Sequence, residues 1–236
     1  MKTSVFTILF TLFFSANSIF ASRNRSSSSR KGRRGSKTLK LRVTNQSYRQ
    51  PLSGFFVMVH NSYTTPLYVR GSRDVPASQA LAELAENGNP QDLYEMYKDA
   101  TGVLSVDIHT TDVGPLGPGY STTIEVEVND DYPLVTIASM AVNTNDCFVA
   151  INGANLNSGQ VLDLVGLDAG TEENNELCEC IPGPACAGMG NDEQASNPVC
   201  AGNGEGFVHI HRGIQQNGNL TGLEDWRNPM VRVVVD

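Results

Sequence analysis

Thr122-Thr123-Ile124-Glu125-Val126-Glu127-Val128 alternates apolar and polar residues one for one. A period of two puts Ile124, Val126 and Val128 on one face of an extended chain, with Glu125 and Glu127 on the other. That is a strand with one buried and one wet face, the arrangement an antiparallel sheet accommodates. Outward from it, Leu104–His109 alternates in the same way, and Leu39, Leu41 and Val43 do so within Leu39–Thr44. Gly54–His60, Leu134–Val142, Cys147–Ile151, Val161–Val165, Gly206–Ile210 and Pro229–Val235 are further strand candidates. Two helical patterns interrupt the series. Ala77, Ala80, Leu81, Leu84 and Ala85 recur at helical spacing, and Asn87-Gly88 supplies a stop. Asn89-Pro90 opens a second short helix with Leu93, Met96, Tyr97 and Ala100 on one face. Many short strands with turn-rich connections predict an all-β fold, an antiparallel β-sandwich with two short helices inserted near residues 77–100.

The ends of the sequence read differently. Residues 1–21 have a secretory-signal pattern: Lys2, an apolar run from Val5 to Phe14, and Ala21 as a small residue for cleavage. The rival, a membrane anchor, meets a run that is short and broken by Ser15, Asn17 and Ser18. Residues 22–37 form a basic, Ser/Arg-rich arm expected to be disordered, and the stretch to Arg42 holds nine basic residues and no acid. Three readings stand for the arm: contact with anionic glycans or lipid headgroups, a propeptide cut near Arg30-Lys31-Gly32-Arg33-Arg34, or a solvated linker. Residues 38–236 are the expected sandwich domain. From Val43 onward seven basic residues face all 25 acidic ones, a formal charge of −18. That balance argues against nucleic acid as a partner and suits a secreted, cation-binding domain that does not span a membrane.

Five cysteines in a secreted chain imply disulfides with one thiol left over. Cys178, Cys180, Cys186 and Cys200 cluster in a Gly/Pro-rich stretch. A Cys178–Cys180 bond is awkward, so each pairs with Cys186 or Cys200. Glu173–Asn203 as a whole reads as a protruding loop. Cys147 lies in an apolar run and reads as a buried thiol. The spacing of the cluster matches no common zinc module.

The segment Asp168-Ala-Gly-Thr-Glu172-Glu173-Asn174-Asn175-Glu176 carries four carboxylates and no Lys or Arg. About 20 residues earlier lies a second oxygen-rich turn, Asn143-Thr144-Asn145-Asp146. Like charges this dense need water or a cation, and a calcium ion takes six to eight oxygens. Gly170 allows the bend that lets Asp168 and Glu172 converge, whereas Glu173 and Glu176 are expected to face solvent.

Gly54-Phe-Phe-Val-Met-Val-His60-Asn61, Leu84-Ala-Glu-Asn-Gly88-Asn-Pro90 and Ala138-Ser-Met-Ala-Val142-Asn-Thr-Asn-Asp146 follow one another in order. Phe148-Val-Ala150, Asp168-Ala-Gly-Thr-Glu172, Gly206-Phe-Val-His-Ile-His211-Arg-Gly-Ile214 and Asp225-Trp-Arg-Asn-Pro229 complete the series. Together they resemble the spondin amino-terminal domain of F-spondin and mindin, over roughly Leu39–Val235. The resemblance is to single-domain secreted members, since no thrombospondin-type repeat follows. It implies a sandwich similar to calcium-and-lipid-binding domains, a calcium ion at one end, and extracellular adhesion to a protein or glycan partner. The ligand carboxylates it implies are Asp146, Asp168 and Glu172. Glu172 departs from the Asp common in animal members, and Cys147 stands where Trp or Gly is usual. The disulfide segment has no counterpart there.

His209 and His211, at i and i+2, share one face of a predicted strand. They offer either a copper or zinc site, hence a metal-dependent enzyme, or a packing feature. Trp226, the sole tryptophan, is expected to fix the corner before the last strand. A third overall reading is a surface protein in which calcium only stabilises the fold. Asn24, Asn45 and Asn219 lie in glycosylation sequons.

Overall fold

A computed structural model describes residues 35–187, 189, 200 and 203–236. The expected signal and nearly all of the basic arm lie outside the described residues. The folded unit is Arg34–Asp236. Among the described residues the strands are β1 (Lys37–Asn45), β2 (Phe55–His60), β3 (Val103–His109), β4 (Ser121–Val128), β5 (Leu134–Met140), β6 (Cys147–Asn155), β7 (Val161–Leu164), β8 (Leu167–Asp168), β9 (His209–Ile210) and β10 (Val231–Val235). They form two antiparallel sheets, ordered β4-β1-β10-β7 and β3-β2-β5-β6-β8-β9. The expected all-β sandwich is the observed fold, with helices α1 (Gln79–Asn87) and α2 (Gln91–Tyr97) between β2 and β3. No helix among the described residues is long and apolar enough to cross a membrane.

The alternation in β4 does what its period requires. Ile124, Val126 and Val128 enter the main core, joined by Leu39, Leu41 and Val43 of β1 and by Val231, Val233 and Val235 of β10. They meet Phe55, Val57 and Val59 of β2 and Val149 and Ile151 of β6 across the sandwich. β2 is apolar on both faces because its second face is covered too. Phe56 and Met58 pack under Leu81, Leu84, Leu93 and Tyr97 of the helices, with Phe148 and Val208 alongside. A strand buried on both sides reads as a continuous apolar run.

Helix α1 starts where Ser78 Oγ accepts the Leu81 N–H at 3.2 Å, and ends at Gly88, whose φ of 66° is the left-handed cap conformation. Ser78→Ala should lower stability by about 1 kcal/mol, read as a lower urea midpoint with an unchanged slope.

Three expectations need correction. The cysteine segment does not protrude over its described part: Cys178, Ile181 and Cys186 belong to the main core. Its disulfides are Cys178–Cys186 and Cys180–Cys200, and the half-cystines are fully or almost fully buried. Disulfide sulfur is apolar, so the segment closes one end of the sandwich. Its bonds mark an oxidising setting. Glu176 is also buried rather than solvent-facing, since its carboxylate accepts the backbone N–H groups of Gln215 and Asn217; Glu173 is exposed. Asn45 is 0 % exposed and donates to the Gln50 and Leu116 carbonyls. In the folded unit it is therefore a structural amide rather than an accessible glycan acceptor.

Candidate metal centre

The end of the six-stranded sheet brings the site together by backbone register. Cys147 of β6 lies opposite Asp168 of β8, and Asp168 lies opposite His209 of β9. Asp146 immediately precedes Cys147. β8, only two residues long, was not foreseen from the sequence, and it is what inserts Asp168 between Asp146 and the histidines.

The turn after β8 is closed by its own carboxylates. Asp168 Oδ1 accepts the Gly170 N–H at 2.8 Å. Asp146 Oδ2 accepts the Thr171 N–H at 2.8 Å, the Thr171 hydroxyl at 3.2 Å and the Glu172 N–H at 3.2 Å. Gly170 has φ 69°, and a Cβ there would lie 2.5 Å from the Phe207 carbonyl oxygen. Only glycine lets the segment around Phe207 lie this close. That segment is held from outside by Arg73, whose guanidinium donates to the Glu205 carbonyl at 3.2 Å and covers the Phe207 ring at 4.3 Å.

The Asn143–Asp146 turn is buried throughout, between 0 % and 3 % exposed. The cysteine segment covers it and satisfies its amides. Asn143 Oδ1 accepts the Ala185 N–H at 2.9 Å, and Asn145 Oδ1 accepts the Glu176 N–H at 3.1 Å.

Asp168 is the hub. His209 Nε2 lies 3.5 Å from its Oδ1 and 3.7 Å from Glu205 Oε2, and His211 Nε2 lies 3.9 Å from its Oδ2. Asn174 Nδ2 donates to Asp168 Oδ2 at 2.8 Å and to Glu205 Oε1 at 3.3 Å, tying the two carboxylates together. Three buried side-chain atoms among the described residues have no hydrogen-bond partner: Asp146 Oδ1, His209 Nε2 and His211 Nε2. All three belong to this end of the sheet. Asp168, Glu205 and His209 bring ligand atoms within 4.8 Å of one another, close enough for a metal ion to be held among them.

The electrostatics is that of a site short of positive charge. Burial, then the Asp168 charge, holds the Asp146 carboxyl well above the usual range. Burial also raises Asp168, against the hydrogen bond from Asn174. Glu172 is pushed up to about 9 by burial, then by Glu86 and Asp146. His211 is held down to about 3 by burial. Cys147, unpaired and fully buried, has its thiol raised by burial and by Asp168 and Asp146, so it is no thiolate nucleophile.

No family model matches this chain, and no curated protein matches it.

The carboxylates named from the sequence divide accordingly. Asp168 stands at the centre, and Asp146 lies beside it with one oxygen engaged and one free. The Glu172 carboxylate accepts from Asn145 Nδ2 at 3.5 Å and is not one of the three residues whose ligand atoms converge. The histidine pair, read from the sequence as a separate feature, reaches the same Asp168. Glu205 and Asn174 were missed as functional residues. The one available signal for Glu205 was its place four residues before His209, between Gly204 and Gly206. Trp226 is 6 % exposed and packs against His211 with the rings tilted by 42° and their centroids 5.0 Å apart. A cleft of about 620 Å³ between β3 and β4 is lined by His109, Tyr120 and Thr122, and no residue of the metal centre borders it.

Proposed function

We propose that this chain is an exported β-sandwich domain of the spondin kind, whose loop end is organised by a divalent cation and used in extracellular adhesion or surface binding. One observation carries the reading: Asp146 Oδ1 and His209 Nε2 are buried without partners around a carboxylate hub. Asp168 feels His209 and then the opposing Glu205 carboxylate, and Asp146 feels the carboxylates of Asp168 and Glu205. A buried charge without a partner is costly, and a cation supplies the missing charge and the missing partners together. Calcium is the ion implied by the spondin resemblance, with Asp146, Asp168 and Glu172 as the oxygen donors it implies; Asp146 and Asp168 are the two at the hub. The two disulfides and the acidic body support export. The partner is an extracellular protein or glycan reached at the cation-ordered loops, and the basic arm would add contact with anionic glycans.

The test is thermal unfolding of the mature chain with calcium, manganese or zinc, each against chelator. A cation at 100 times its dissociation constant should add about 2.7 kcal/mol, or roughly 5–10 °C for a domain of this size. Asp168→Asn should remove the shift. If no cation moves the midpoint, the reading fails. Cell or glycan binding that is unchanged by chelator would sink the adhesive part alone.

A further inference from the structure

We propose that the ion at this end is a first-row metal of the zinc, iron or manganese class, bound by His209 Nε2, Asp168 Oδ1 and Glu205 Oε2, and that His211 is a positioning residue rather than a ligand. This rests on the reading that a cation binds here, and assigns its chemistry and its ligands.

The proton positions on the two rings decide the roles. His209 Nδ1 lies 3.0 Å from the Ile210 carbonyl oxygen. A carbonyl only accepts, so Nδ1 carries the hydrogen, and the neutral ring keeps its lone pair on Nε2. A metal-bound histidine is oriented in this way, its other N–H donated to a carbonyl or carboxylate. Nε2 faces Asp168 Oδ1 at 3.5 Å and Glu205 Oε2 at 3.7 Å. Three atoms with lone pairs therefore converge. These separations exceed the ~2.7–2.9 Å of a charge-assisted hydrogen bond. They lie near the ~3.3–3.4 Å between ligands arranged tetrahedrally about a metal with bonds of ~2.0–2.1 Å.

His211 is the opposite tautomer. Its Nδ1 accepts the Gly213 N–H at 3.0 Å, so in the neutral ring the hydrogen sits on Nε2. A nitrogen that carries a hydrogen cannot ligate; at 3.9 Å from Asp168 Oδ2 it is too far for a hydrogen bond, and faces that carboxylate as the positive end of an N–H dipole. The ring is fixed on Trp226. The sequence presents two equivalent imidazoles; the backbone makes one a ligand and turns the N–H of the other toward Asp168 without a direct hydrogen bond. Asp146 adds an independent sign of a cation site at this end, because its Oδ1 is fully buried without a partner. An imidazole nitrogen beside two carboxylates suits zinc, iron or manganese, whereas calcium prefers a shell of oxygens.

The full mature chain is titrated with zinc, with calcium, and with cobalt as a spectroscopic stand-in for zinc. Zinc is expected to bind at least 100-fold tighter than calcium, and to displace a cobalt complex whose visible band reports nitrogen ligation. His209→Ala and the half-exposed Glu205→Gln should each weaken zinc at least 100-fold. His211→Phe should weaken it only about 10-fold and keep the cobalt band, and His211→Gln, which restores an N–H, should recover most of that loss. Near-ultraviolet circular dichroism of each variant establishes that it is folded. Calcium binding as tightly as zinc and surviving His209→Ala overturns this assignment while leaving the proposed function standing. Loss of the cobalt band on His211→Phe but not on His209→Ala overturns the division of roles. If no cation binds and nitrogen NMR finds His209 as an imidazolium, a proton fills the gap, and both readings fall.

Discussion

Gly170→Ala is expected to lower stability by about 3 kcal/mol or more and to abolish cation uptake. Two costs add at this position. Its φ of 69° is left-handed, which costs a residue with a Cβ roughly 1–2 kcal/mol. The new Cβ would also lie 2.5 Å from the Phe207 oxygen and 2.8 Å from its nitrogen. Both are backbone atoms that cannot rotate away, and overpacking of this kind costs about 1–3 kcal/mol. Relief requires the segment carrying Glu205 to move off the turn. The Thr171 and Glu172 amides would then leave Asp146, and Glu205 would leave Asp168. Gly119 is the control. Its φ is 79°, and a Cβ there meets nothing within 4 Å, so Gly119→Ala costs only the conformational part and keeps cation binding. Urea unfolding and zinc titration of the two variants check this. Equal losses in both would mean that the contact with Phe207 does not hold the site.

Raising the pH from 7 to 9 is expected to destabilise the metal-free protein, with a slope approaching 1.4 kcal/mol per pH unit for each proton taken up on folding. Glu172 is raised to about 9 by burial, with Glu86 and Asp146 adding to it. Asp146 and Asp168 are raised in the same direction, burial being the first cause for both. The unfolded chain has released these protons by pH 7, whereas the folded chain keeps the Glu172 proton. Folding therefore takes up protons, and its stability falls as pH rises toward the folded value. His211 has the opposite sign. Burial holds it down to about 3, so below its unfolded value of 6.5 the unfolded chain binds a proton that the folded one refuses. Between the unfolded values of 4.5 and 6.5 the slopes of Glu172 and His211 cancel, so the net fall from this pair begins above about pH 6.5. Saturating zinc should flatten the alkaline limb, because a cation beside these buried carboxyls favours their ionised forms. Urea midpoints between pH 6 and 9, with chelator and with zinc, check this. A level metal-free profile between pH 7 and 9 would mean that Glu172 is ionised in the fold.

The strands were legible wherever burial follows a period of two, as in β1 and β4, or where an apolar run is covered on both faces, as in β2. The cap residues Ser78 and Gly88 bound α1 for local reasons that a sequence displays. β8 was not legible, because Leu167-Asp168 has no periodicity of its own and is a strand only through pairing with β6 and β9. Glu176 looked like surface charge because its partners, the amides of Gln215 and Asn217, lie some 40 residues away. Nor does the cysteine segment, rich in glycine, proline and polar residues, carry any pattern that distinguishes a core plug from a protruding loop.

The same division runs through the candidate site. By itself the sequence determined that this is an acidic, disulfide-containing sandwich, with oxygen donors concentrated around Asp146 and Asp168 and two histidines sharing one face. Those properties follow from composition and from the geometry of an extended chain. Only the tertiary structure decided that the acids and the histidines form one centre, that Glu205 joins it, and that His209 and His211 differ. A ligand set depends on which strand ends are neighbours, and a tautomer on which backbone group faces each ring nitrogen, and neither is fixed until the sheet has closed.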